Sequence, residues 1–189
     1  MTHRTGSLEE IRDDDVLAVR LLDRIARGDR VAMDHFYGIH ESGIYRLALA
    51  ILDDAQGATR VLVNVMLAVW HNAAELAAAR KVRTALLALG LREARAWAAA
   101  RGAAEPGPAV DLPASHEVEP DVLLDRVDDV LRVQAALHRL PPHHRATLHL
   151  AYCENLDHRG IARVMGCAPY AVAELQTRAR RLLEQQLAA

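Results

Sequence analysis

Aromatic side chains are scarce, at 4% of 189 residues, with one Phe, two Trp and four Tyr. Strands draw on β-branched and aromatic residues, and the thin supply of Ile, Thr, Tyr and Phe argues against a sheet. Long hydrophobic runs are missing too. The longest apolar stretch, Val61 to Trp70, is about half of the roughly 20 residues that a membrane span needs. Met1 to Asp15 is polar and acidic and lacks the apolar core of a signal peptide. The sequence therefore predicts a cytoplasmic protein without a membrane partner. There are two cysteines, Cys153 and Cys167, with no CxxC pair, and they read as ordinary thiols in a reducing compartment. The histidines are scattered, and His143-His144 after Pro141-Pro142 reads as a polar helix start, so no metal site is expected. A Gly-rich phosphate loop and a local nucleophile motif are also lacking. No enzyme, cofactor or small-molecule substrate is predicted. Basic excess is absent as well, with a net charge of -2, although the local distribution of charge matters more than the total.

What the chain does have is Ala, Leu and Val, within a hydrophobic share of 51%. Together with Arg and Glu these favour helix, so the predicted fold class is all-α. A first block, residues 16–101, opens with Val16, Val19, Leu22 and Ile25 at helical spacing. Gly28-Asp29 stops that helix and starts one carrying Ala32, Met33, Phe36, Tyr37, Ile44 and Leu47. Asp53-Asp54 and Gly57 break the pattern. Val61 to Trp70 is apolar nearly all round and should be central, and a last helix runs from about Val82 to Ala100. Residues 102–121 then hold four prolines, two glycines and several acids without Lys or Arg, which reads as a linker.

The second block, residues 122–187, has a helix through Val130, Val133, Leu137 and Leu140 that Pro141-Pro142 terminates. A short helix from Arg145 to Tyr152 follows. Asp157 is placed to cap a helix with Ile161, Ala162 and Val164, Gly166 to end it, and Pro169 to open the last helix. Helix, Gly-containing turn, helix is the helix-turn-helix pattern, whose second helix can present side chains to the major groove.

Leu137-x-x-Leu140-Pro141, Arg145, Leu148, Leu150, Tyr152, Glu154, Leu156, Ile161-Ala162, Gly166-Cys167, Val172 and Arg178-Ala179-Arg180 stand in one order. This resembles the promoter −35-binding region of extracytoplasmic-function sigma factors, the group 4 members of the sigma-70 family. Leu21-Leu22, Ile25, Gly28-Asp29, Ala32-Met33, Phe36-Tyr37 and Tyr45 are similar to the opening of the family's polymerase-binding, promoter-melting domain. Ala58 to Trp70 stands in the place of its central helix, with Val69-Trp70 at the end. The resemblance implies a sigma region 2-like bundle and a region 4-like helix-turn-helix domain joined by the acidic Pro/Gly linker. It implies core RNA polymerase, promoter DNA and an anti-sigma factor as partners. Polymerase contact is expected at Arg60 and Asn64. DNA contact is expected at Tyr170, Gln176, Thr177, Arg178 and Arg181, and at Arg83, Arg92, Arg95 and Trp97 for the −10 element.

The chain also departs from the family. Thr59, Arg60, Val63 and Asn64 stand where acidic and Gln residues usually dock on the polymerase clamp. Ala171-Val172-Ala173-Glu174-Leu175 replaces a polar recognition stretch, and Glu174 would repel phosphate. These departures motivate an alternative, a sigma-like interaction module without promoter recognition, acting as an anti-sigma decoy or transcription regulator. Trp97 has a plainer reading as a boundary residue, and the basic cluster around it as a solvated face.

Overall fold

The computed structural model describes residues 6–79, 81–102 and 132–188, with side chains from Asp15 onward. Most of the expected linker, and the expected start of the second block at 122–131, lie outside the described residues. All described secondary structure is helical: α1 (Gly6–Ile25), α2 (Arg30–Leu52), α3 (Ala55–Ala77), α4 (Val82–Ala100), α5 (residues 132–138), α6 (Pro142–Tyr152), α7 (His158–Met165) and α8 (Pro169–Ala188). The chain is all-α, as its composition predicts.

Acidic caps set the helix ends. Asp29 caps α2 by accepting the Ala32 amide at 3.1 Å. Asp53 ends α2 in the left-handed region at φ 52°, and Asp54 at once caps α3 by accepting the Gln56 amide. The break expected around Asp53-Asp54 is therefore a two-residue corner. Gly57 lies inside α3 and does not break it; a Cβ there would stand 2.7 Å from the Trp97 indole nitrogen. The first helix begins at Gly6, ahead of the expected Val16.

Leu21, Leu22 and Ile25 from α1, Phe36 and Ile44 from α2, Val61, Val65 and Val69 from α3, and Leu86 from α4 form the core of the N-terminal bundle. The expectation that α3 is buried all round holds for one face only. Val63 and Leu67 are 51% and 52% exposed, because no described helix packs on the stripe they share with Arg60 and Asn64.

In the C-terminal half, Leu140, Leu148 and Ala179 make a small core under α8. The larger cluster belongs to both halves. Leu47, Leu87 and Leu91 of the bundle pack with Ala146, Leu150, Ile161, Ala162, Val164, Met165 and Val172. Helix α6 thus lies on α2, and α7 lies on α4.

Candidate nucleic-acid interface

Helices α7 and α8 form the helix-turn-helix expected from Asp157, Gly166 and Pro169. The Asp157 carboxylate accepts the Gly160 amide at 2.7 Å. Gly166 takes φ 68° and turns the chain, a conformation that costs glycine little. Burying Val172 and Ala179 fixes which side of α8 faces inward.

The outer side of α8 presents Tyr170, 75% exposed, with Thr177, Arg178 and Arg181, all exposed. Thr177 donates its hydroxyl back to the Ala173 carbonyl. Gln176 is a correction to the expected set. It is 8% exposed, and its amide oxygen pairs with His158 Nε2 at 2.8 Å. It ties the start of α7 to α8 and does not face outward. The signal was in the sequence: Val172, Gln176 and Ala179 lie on one helical stripe. Glu174 is exposed on the outer face. Arg180 lies over the Tyr152 ring at 5.8 Å.

Beneath this surface His144 is 4% exposed, with both ring nitrogens lacking a hydrogen-bond partner among the described residues. Burial lowers its pKa below the ordinary 6.5, and the charges of His143 and Arg178 add to the effect.

The α4 set is arranged differently from expectation. Arg83 Nε and Nη2 donate to Glu154 Oε2 at 3.1 and 2.7 Å. Arg95 Nη1 reaches the Met165 carbonyl at 3.4 Å. Both side chains therefore contact the C-terminal half. Arg92 remains 74% exposed beside Glu93. Trp97 is half-buried against the bundle core, with the Arg60 and Arg101 guanidiniums 5.2 and 5.7 Å from its ring centroid. A base stacking on this ring would compete with these guanidiniums. Arg60 and Asn64 are exposed on α3, with the apolar Val63 and Leu67 beside them.

Arg145 and Glu154 stand in the sigma-like order of the sequence but not among the expected contact residues, yet both join the halves. Glu154 is 5% exposed. Burial pushes its pKa up, but His149, with Nε2 3.4 Å from Oε1, and the charge and hydrogen bonds of Arg83 hold the carboxyl below its ordinary 4.5. Arg145 Nε donates to the Ala50 carbonyl at 2.8 Å. Their partners are remote in sequence, and no local pattern announces them.

No group of three or more potential metal ligands occurs among the described residues, and none of the described helices is long and apolar enough to cross a membrane. No protein-family model matches the sequence, and no curated protein does. The fold is similar to that of a sigma factor of the extracytoplasmic-function type, CnrH, solved in complex with the cytosolic domain of CnrY. The two share 19% sequence identity with a TM-score of 0.64, over 91% of this chain and 97% of that one. That likeness establishes a sigma-like fold across both halves.

Proposed function

We propose that the chain is a sigma-type transcription factor that joins core RNA polymerase and directs it to promoter DNA. The observation that carries this reading is the outward face of α8, where Tyr170, Thr177, Arg178 and Arg181 stand exposed behind a capped, glycine-turned α7. Arginines there would contact phosphate and base edges, as the second helix of such a motif does. The likeness to CnrH over nearly the whole chain supports the same reading. Polymerase would dock on the α3 stripe of Arg60, Val63, Asn64 and Leu67, and an anti-sigma protein is the expected regulator. Core polymerase captured by the purified chain at low and moderate salt tests the proposal. Stoichiometric, salt-tolerant binding followed by promoter-specific initiation is the expected result, and a folded chain that never binds core polymerase overturns it.

A second reading has its own observation. Glu174 is exposed on the recognition face, Gln176 is turned inward, and Arg83 and Arg95 are engaged between the halves. A sigma-like module that binds a regulator through protein contacts, without reading promoters, would have this surface. Capture of an anti-sigma domain without polymerase binding would favour it.

A further inference from the structure

A cavity of about 560 Å3 opens where α2 meets the C-terminal helices, with walls from α2, α5, α6 and α8. Each of the four helices gives it a leucine: Leu49, Leu137, Leu148 and Leu183. Leu148 is buried and the other three are half-buried. Pockets of this volume, with apolar walls and a few placed polar groups, are where small ligands bind.

The charged groups on the wall are not equivalent. Asp53, the one carboxylate of the lining, pairs with His138 at 2.7 Å and lies 3.5 Å from Arg145. Arg145 is itself engaged with the Ala50 and His138 carbonyls. Arg46 and Arg180 differ from it. Both are exposed, and neither pairs with a carboxylate among the described residues. They stand at the same end of α6. Arg180 lies over the Tyr152 ring at 5.8 Å. Arg46 is close enough to the next residue, Cys153, for its charge to oppose the rise that burial and Glu154 impose on that thiol's pKa. Tyr152, 63% exposed, adds a flat apolar face beside them.

We propose that this cavity is a binding site for a small apolar carboxylate, whose body covers the leucines while its carboxylate pairs with Arg46 and Arg180. Removing the leucines from water supplies affinity. Charge-assisted hydrogen bonds from the guanidiniums set the preference for an acid over an alcohol or an amine. Because the walls belong to both halves, the ligand touches α2 and the C-terminal helices at once and stabilises the folded chain by mass action. Neither Arg178, Arg181 nor the α3 stripe lines the cavity, so the site stands independently of the proposed function.

The test uses the full chain and decanoate, with decanol and decylamine as its neutral and cationic counterparts, in isothermal titration calorimetry. Saturable one-to-one binding of decanoate is expected, about tenfold tighter than either counterpart, the factor that one lost charge-assisted hydrogen bond costs. Arg46→Ala/Arg180→Ala should bind decanoate no better than decanol. Leu183→Trp should fill the cavity and abolish binding, with circular dichroism showing both variants folded. Cys153 gives a readout that needs no variant, since it lines the cavity and Cys167 does not. Saturating decanoate should slow alkylation of Cys153 by iodoacetamide and leave Cys167 unchanged. Equal binding of decanol, or decanoate binding that leaves Cys153 unprotected, overturns the proposal. Absence of decanoate binding overturns it too. Cys153 already protected in the free chain then gives the cavity to residues 103–131, and Cys153 freely alkylated gives it to a protein partner.

Discussion

His144 sits under α8 with both ring nitrogens unpartnered among the described residues and a pKa lowered chiefly by burial. Its native form is neutral. The unfolded chain takes up a proton near the ordinary 6.5, while the folded chain resists. Stability is therefore full above that value and falls as pH drops below it, levelling once the folded histidine is also protonated. Urea unfolding across this range should show the decline, and His144→Leu should abolish it. The same variant should be more stable at neutral pH by about 1 kcal/mol, since it removes two buried ring nitrogens that have no hydrogen bond to offset their desolvation. Glu154 acts in a lower window. Its folded pKa is depressed, so its contribution is present above the ordinary 4.5 and is lost as pH falls through the folded value. Glu154→Gln should flatten the acid limb of the stability profile. His143-His144 was legible as a polar helix start, but the burial of His144 was not, because it depends on the elements that pack on α6, which lie far from it in sequence.

At the scale of the helices, caps and turns were the most legible features. Asp29, Asp157 and Gly166 serve where local chemistry places them, since an Asp before an apolar run or a Gly after one satisfies orphan backbone groups at once. Asp157→Ala should cost about 1 kcal/mol by chemical denaturation. Helix α8 also carries the salt-dependent test of function. Arg178→Ala and Arg181→Ala should each lower the slope of log affinity against log salt by about 1 for promoter DNA, whereas Gln176→Ala should leave that slope unchanged. Equal slopes in all variants would remove α8 from the DNA contact. The stripe of Arg60, Val63, Asn64 and Leu67 was harder to assign. Val61 to Trp70 is apolar enough to suit burial on every side, and the number of helices that pack on α3 decided which side stays open.

The whole molecule is held as one unit by the shared cluster of Leu47, Leu87 and Leu91 with Leu150, Ile161 and Val164. A single cooperative calorimetric transition should follow, and Leu91→Ala, by opening a cavity in that cluster, should cost about 2–5 kcal/mol and keep the transition single. Two resolved transitions in the unmodified chain would show that the cluster does not couple the halves. The sequence by itself determined the helical class, the corner positions, the helix-turn-helix and its sigma-like order. These depend on neighbours within a turn or two of one another, so residue type and spacing suffice. Only the tertiary structure decided that Arg83 answers Glu154, that Arg95 reaches Met165, that Gln176 turns inward to His158 and that Arg60 lies over Trp97. A guanidinium can pair with any carboxylate, carbonyl, phosphate or ring within reach, and which of these is within reach is set by how the two halves pack.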